Sequence, residues 1–367
     1  MRVAQVGIVR PRDRPDPEEL LARWPTLADI AAATQRAGAQ VTVVQSFHRD
    51  ASFVRGGVCY RFIAEPALPG RATGLNPRRL ARTAATADVI HVNGLDFARH
   101  IPALCATGVP VLAQDHASRT GIAGARRHRA LRNVAGVAFT AAEQARPFVD
   151  AGELDPAIPI FAVPESSTHF RAIDRTDARA AISIHGDPAI AWVGRLDTNK
   201  NPLTILDAVE RAARHLPDAH LWCCFHAGGL LPAVEARVAR SPVLGDRVHL
   251  LGALPHDRVE KLLSAADFFM LGSHHEGSGY ALIEAMACGA TPIVSNIPSF
   301  RALAGSAGAL VPTGDAEAFA RALTGLAQRD RNASRRATIA RFDDALSFDR
   351  VGARLCEIYA ALIGSRR

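Results

Sequence analysis

The sequence predicts an α/β protein built from two doubly wound, mostly parallel sheets, and three observations predict it. Strand-like and helix-like stretches alternate through the first half, which implies parallel strands joined by crossover helices. The second half contains two strand–loop–helix segments of the kind whose loops bind ligands at the carboxyl edge of such a sheet. The 367 residues exceed one ordinary core, and 48% hydrophobic content is enough to fill two.

In order along the first half, the candidate strands are Arg2 to Ile8, Gln40 to Gln45, Asp88 to Val92, Val109 to Ala113, Val134 to Phe139 and Pro159 to Val163. Each is a short apolar or alternating run bounded by turn formers. A helix is expected over Leu27 to Gly38, with Thr26 and Asp29 as a capping-box-like start. Between Pro164 and Pro188 the apolar periodicity breaks and charges gather, which places the domain joint there.

The strand Pro188 to Val193 is followed by Gly194 and Arg195, a polar loop, and then Asn201 as N-cap with Pro202 opening a helix. Arg195 therefore falls at the carboxyl end of the strand and Lys200 just before the helix, both placed to neutralise a diphosphate. The chain has only two lysines, Lys200 and Lys261, among 43 basic residues. An ammonium is a compact point charge suited to a phosphate oxygen, although one lysine can also fall in a polar loop by chance.

Farther on, Asp267 to Leu271 reads as a buried strand and Tyr280 to Cys288 as a helix stopped by Gly289. Glu276 lies in the loop between them and Glu284 about one turn inside the helix, its side chain leaning back toward the N-terminus. The amides around Gly277, Ser278 and Gly279 meet the positive end of the helix dipole, a site for an anion such as phosphate. Hydroxyl-accepting carboxylates flanking a phosphate cradle describe a sugar nucleotide. Taken alone, the same glutamates also suit a helix start simply because they complement its dipole. The chain ends in FDDALSFDRVGARLCEIYAALIG, one or two amphipathic helices.

Bulk properties narrow the class. The start MRVAQVGIVR alternates like a strand and lacks the pattern of a secretory signal, and no apolar run is long enough to span a bilayer, so a cytoplasmic location is expected. Cys59, Cys105, Cys223, Cys224, Cys288 and Cys356 show no metal-ligand spacing, and reduced thiols are expected. A net charge of +7 could attract nucleic acid or an anionic membrane. Its sharpest cluster, Arg126, Arg127, His128, Arg129 and Arg132, has no aromatic interleaving. It is read as a solvated helix face, with peripheral contact at the cytoplasmic side of a membrane as the alternative and no nucleic-acid partner.

From about Ala189 to the C-terminus, the motifs VGRLDTNKN, VHLLGALPHDRVEKLLSAADFFML, HHEGSGYALIEAMACGATPIVSNIPSFRALAG and GALVPTGDAEAFARAL resemble the C-terminal domain of retaining glycosyltransferases of the group-one type, also numbered family four. The resemblance implies the GT-B fold, two Rossmann-like domains facing across a cleft. It divides the chain into an acceptor-side domain at 1–170, a nucleotide-sugar domain at 171–345, and a final helix at 346–367 that packs back on the first domain. It also implies that Arg195 and Lys200 hold the donor diphosphate, that Glu276 bonds hydroxyls of the transferred sugar, and that Glu284 holds the ribose. Gly194, Gly277, Ser278, Gly279 and Tyr280 complete the nucleotide site. His116, ending a strand in VLAQDHAS, matches a family histidine that faces the donor sugar; it could equally be a hydrogen-bonded surface residue, with Asp115 beside it.

The expected reaction moves a sugar from a UDP- or GDP-linked donor to an acceptor hydroxyl, small-molecule, glycan or lipid-linked, with retention. No cofactor is expected beyond the donor itself. No Asp-x-Asp motif appears, so no metal is expected at the diphosphate, and His274 and His275 lack a convincing ligand set. His91 and Asn93 end a strand where they would line the acceptor side, or serve only as its polar terminus.

Two departures from the family pattern lie in the first half. A proline-, arginine- and acid-rich segment, Val9 to Trp24, stands where relatives have a glycine-rich loop. Pro164, Glu165, Ser166, Ser167 and Thr168 replace a Pro-Asn-Gly-Val-Asp-like stretch. Competing classes are a GT-B epimerase or hydrolase, a non-catalytic nucleotide-sugar-binding module, and a nicotinamide-dependent oxidoreductase. The last is disfavoured because no GxGxxG follows a strand.

Overall fold

The computed structural model describes residues 1–65, 77–116, 120, 124–226 and 228–364. The chain forms two compact units, Met1–Ser167 together with Phe348–Arg367, and Thr168–Ser347. The second unit is thus inserted between the body of the first and its last helix.

The first unit holds an eight-stranded sheet: β1 (Arg2–Gly7), β2 (Gln40–Phe47), β3 (Ala51–Arg55), β4 (Val58–Ala64), β5 (Val89–Asn93), β6 (Val111–Gln114), β7 (Gly136–Phe139) and β8 (Ile160–Ala162). Their order is β3-β4-β2-β1-β5-β6-β7-β8, and every pairing is parallel except the β3–β4 hairpin. The central strands are buried on both faces, which is why they read as near-continuous apolar runs. Val3, Val41, Val43, Val89 and Leu112 point into one core layer; Ala4, Val6, Val44, Ile90, Val92 and Ala113 point into the other.

The final helix, Phe348–Gly364, belongs to the first layer, burying Val351, Leu355, Ile358, Tyr359 and Leu362. It lies close against helix Pro25–Arg36 because Gly352 has no side chain: a Cβ there would stand 2.4 Å from the Ala33 carbonyl oxygen.

Several sequence expectations change in this unit. The hairpin β3–β4 was not among the expected strands. Its turn, Gly56 and Gly57, takes φ of +58° and +80°, the left-handed pair that a two-residue hairpin demands. The helix expected at Leu27 starts at Pro25 with Trp24 as N-cap and no side-chain cap bond. Proline at the first position needs no capped N–H and brings its own helical φ, so Thr26 lies inside the first turn rather than before it. Inside Val9 to Trp24 a short helix, Pro17–Arg23, anchors Leu20 and Leu21 in the core.

Arg127 is not solvated. On helix Gly124–Leu131 it is 2% exposed and bonds the fully buried Glu153 carboxylate, with Asp96 at 3.3 Å and the Phe148 ring at 5.4 Å.

The second unit is a six-stranded, all-parallel sheet: β9 (Ala189–Arg195), β10 (His220–His226), β11 (Val248–Gly252), β12 (Phe268–Leu271), β13 (Thr291–Ser295) and β14 (Ala309–Val311). The order is β11-β10-β9-β12-β13-β14. From β9 the chain winds outward through β10 and β11, then crosses back to place β12 on the other side of β9. That reversal makes the carboxyl edge between β9 and β12 a topological switch point, where ligands bind in open α/β sheets.

Candidate functional site

The two loops singled out by the sequence leave β9 and β12 side by side at the switch point. After β9, Asp197 organises the first loop: its Oδ1 accepts the Lys200 backbone N–H at 2.9 Å, and its other oxygen lies 3.4 Å from Arg195 Nε. Asn201 follows at φ +48° and ψ +55°, and Pro202 opens helix Pro202–Ala212. Asn201 occupies the expected N-cap position, but its side chain caps no backbone N–H; its Oδ1 accepts from the Thr204 hydroxyl at 3.0 Å.

Asn199 zips the first loop to the second. Its carbonyl accepts His274 N–H at 2.8 Å, its Oδ1 accepts His275 N–H at 3.0 Å, and its Nδ2 donates to the His275 carbonyl at 2.9 Å. His274 and His275 therefore frame the loop through their backbones while their side chains stay exposed. Held this way, the loops bring Lys200 and Glu276 together: Lys200 Nζ donates to Glu276 Oε1, which also accepts from Ser273 Oγ at 2.7 Å. Both partners are mostly shielded, with side chains 16% and 12% exposed. A desolvated cation beside a carboxylate that can accept hydroxyls is the pairing a phosphate and an adjacent sugar require. Arg195, by contrast, is largely exposed and sits at the rim.

Helix Tyr280–Ala287 begins behind this pair. Gly279 is its N-cap at φ +69°, and a Cβ there would strike Leu303 Cδ1 at 2.6 Å, so both conformation and space call for glycine. Gly277, Ser278 and Tyr280 are half-buried around the helix start, at the positive end of its dipole. Gly194 lies beneath: a Cβ on it would stand 3.6 Å from Lys200 Cγ.

Glu284 has a separate partner, His256 Nε2 at 3.4 Å, on helix His256–Ala265. Burial raises the Glu284 carboxyl above the ordinary carboxylate range, and the opposing pull of His256 does not cancel it.

In the first unit, His116 is half-buried, with Nδ1 3.2 Å from Glu165 Oε2, while its buried Nε2 has no hydrogen-bond partner among the described residues. Its Glu165 partner comes from the atypical stretch after β8. Ser166, where relatives have glycine, is not among the residues with positive φ, so this backbone accommodates serine without strain. His91 does not line an open site: it is wholly buried, Nδ1 lies 2.7 Å from the Tyr359 hydroxyl of the final helix, and burial lowers it to about 3. Sequence reasoning overlooked Asn199 and Ser273, the residues that lock the loops and support Glu276. Their only signal was adjacency to the loops already chosen.

Residues 187–329 match the family model described as glycosyl transferases group 1. The 2-deoxystreptamine N-acetyl-D-glucosaminyltransferase of Streptomyces fradiae is 30% identical over 270 residues, 70% of this chain and 62% of that protein. The GDP-mannose:cellobiosyl-diphosphopolyprenol alpha-mannosyltransferase of Xanthomonas campestris is 28% identical over 299 residues, 77% of this chain and 76% of that one. Among other curated relatives the chain spans as little as 28% and 39% of their length. Among solved structures, an Anabaena protein in complex with UDP and glucose superposes with a TM-score of 0.66 at 17% identity, covering 98% of this chain and 100% of that one. Family model, relatives and fold agree: the chain matches the group 1 glycosyl transferases over residues 187–329, and its fold is the GT-B architecture.

Proposed function

We propose that the protein transfers a sugar from a nucleotide-diphosphate sugar to an acceptor hydroxyl, with retention and without a metal at the diphosphate. The observation that carries this reading is the shielded Lys200–Glu276 pair at the β9–β12 switch point. On binding, the diphosphate takes the Lys200 ammonium and the sugar hydroxyls take the Glu276 carboxylate, so each group exchanges its neighbour for substrate.

Glu284 accepts from the ribose hydroxyls, and Arg195 joins Lys200 and the helix amides in offsetting the charge that grows on the leaving diphosphate. The acceptor oxygen bonds the anomeric carbon on the face from which the diphosphate departs, and the acceptor proton passes to the departing oxygen. No carboxylate of the enzyme then has to act as nucleophile. His116 is the residue of the first unit assigned to the transfer step. UDP and GDP are the favoured nucleotides, and a cytoplasmic protein is the matching location. Among the described residues no helix is long and apolar enough to cross a membrane, and a lipid-linked acceptor would require only peripheral contact.

The test is a thermal-shift screen of UDP, GDP, ADP and their sugar conjugates, followed by transfer assays with the stabilising donor. Lys200→Met should lower kcat/KM about 10²–10³-fold, as expected for losing one buried electrostatic contact to the leaving group. Unchanged kinetics in that variant would remove the assignment. Donor turnover without acceptor would point instead to hydrolysis.

A further inference from the structure

Away from the strand-end loops, the second unit gathers three histidines from distant points of the chain. His220 is the first residue of β10, and His249 lies on β11 opposite Trp222. His220 and Trp222 share a face of the pleat, so the His220 and His249 side chains stand together. His185 comes from the loop before β9. That loop is pinned: a Cβ on Gly186 would stand 2.9 Å from His220 Cβ, and Trp222 Nε1–H donates to the His185 carbonyl at 3.0 Å. One ring nitrogen from each histidine lies within 4.8 Å of the others, and His220 Nδ1 is 2.9 Å from His249 Nε2.

We propose that His185, His220 and His249 form a binding site for a divalent transition-metal ion of the zinc, cobalt or nickel class. In a tetrahedral site with metal–nitrogen bonds of about 2.0–2.1 Å, ligand nitrogens stand roughly 3.3–3.4 Å apart. Opening the His220–His249 contact by a few tenths of an ångström and drawing His185 inward produces that geometry. The His185 side chain is exposed, so it can turn inward while its backbone stays pinned, and the fourth position is left to water.

The ring environment also suits a metal. The Trp222 indole stacks on His249 at 3.7 Å and 15°, fixing that ring. Ligation uses neutral imidazoles, and the 2.9 Å contact between His220 Nδ1 and His249 Nε2 sets one donor and one acceptor nitrogen face to face. Metal entry replaces the hydrogen bond between the two rings by shifting one imidazole proton to its other nitrogen, with no net proton release.

The site is distinct from the nucleotide loops. His226 at the far end of β10 pairs with Arg195, so the histidines lie roughly 20 Å away, the length of a seven-residue strand. A metal there would clamp the edge strand β11 and the loop before β9, leaving the diphosphate site untouched.

The experiment uses the full chain without an affinity tag, freed of metal by chelation and titrated with Co²⁺. The tetrahedral visible bands should grow to one equivalent, Zn²⁺ should displace them, and Mg²⁺ should not. His185→Ala, on an exposed loop, and His249→Gln should each weaken Co²⁺ binding by more than about tenfold, the least that even supporting residues of metal sites contribute. The nucleotide-induced thermal shift should stay unchanged in His185→Ala. Absence of stoichiometric Co²⁺ bands in the parent chain, or binding undiminished in His185→Ala, overturns the proposal.

Discussion

Replacing Glu284 by glutamine should stabilise the protein while weakening its grip on nucleotide. The carboxylate is 18% exposed, and its partner His256 is 76% exposed. Burying a polar group with incomplete compensation costs about 1–3 kcal/mol, whereas a solvent-screened pair returns about 0–1 kcal/mol. Burial wins, in agreement with the raised carboxyl. A carboxyl raised by folding contributes stability that is fully present below its unfolded value and is lost as the pH climbs through the folded one. Wherever Glu284 is ionised it is therefore a net cost, which glutamine removes with little change of shape. A gain of about 1 kcal/mol corresponds to roughly 2–4 °C in Tm for a unit of this size. The assay is thermal unfolding of both proteins from pH 4 to pH 8, with and without the stabilising nucleotide. The gain should shrink toward pH 4, and the nucleotide-induced shift should fall at pH 7. A variant less stable than the parent at pH 7, or a gain undiminished at pH 4, refutes the burial argument. An unchanged nucleotide shift refutes the ribose contact.

Two further outcomes concern the first unit. His91, lowered to about 3 against an ordinary 6.5, binds its proton less readily folded than unfolded. Its contribution to stability should therefore be lost as the pH falls from about 6.5 toward about 3, at up to roughly 1.4 kcal/mol per pH unit. Urea titrations should show a shallower acid dependence in His91→Gln, and an identical slope would contradict this. Arg127→Met leaves the Glu153 carboxylate buried without its cation and should cost about 3–5 kcal/mol in urea unfolding, with Arg127→Met/Glu153→Leu recovering most of it. A neutral single variant would show that the pair is dispensable.

Much of the fold could be read before the structure because parallel strands covered on both faces leave unbroken apolar runs such as Ala189–Trp192 and Phe268–Leu271. The hairpin β3–β4 escaped because β3 is an edge strand with a mostly exposed pattern, although its two adjacent glycines carried a turn signal. The strand-end loops were legible from local spacing, and the structure joins them, but Asn199 was not. Its role depends on β9 and β12 being neighbours, a fact of strand order rather than of sequence distance. His91 stayed open between lining the acceptor side and ending its strand for the related reason that its partner, Tyr359, arrives from 268 residues away. Arg127 looked like its basic neighbours because a run of charges does not reveal which member turns inward to meet Glu153. The histidine trio likewise has no local period; parallel register brings positions 220 and 249 together, and the loop pinned to Trp222 adds 185.

The return of helix Phe348–Gly364 to the first unit has a consequence for how the polypeptide matures during synthesis. The first unit's opening residues cannot complete their own hydrophobic layer until Val351, Leu355, Ile358 and Tyr359, which follow the inserted unit in the chain, have been made. The inserted unit has its whole sequence available sooner, so the usual N-to-C progression of domain folding is inverted. The opening sheet waits as an incomplete platform until the helix that follows the inserted unit supplies its closing piece.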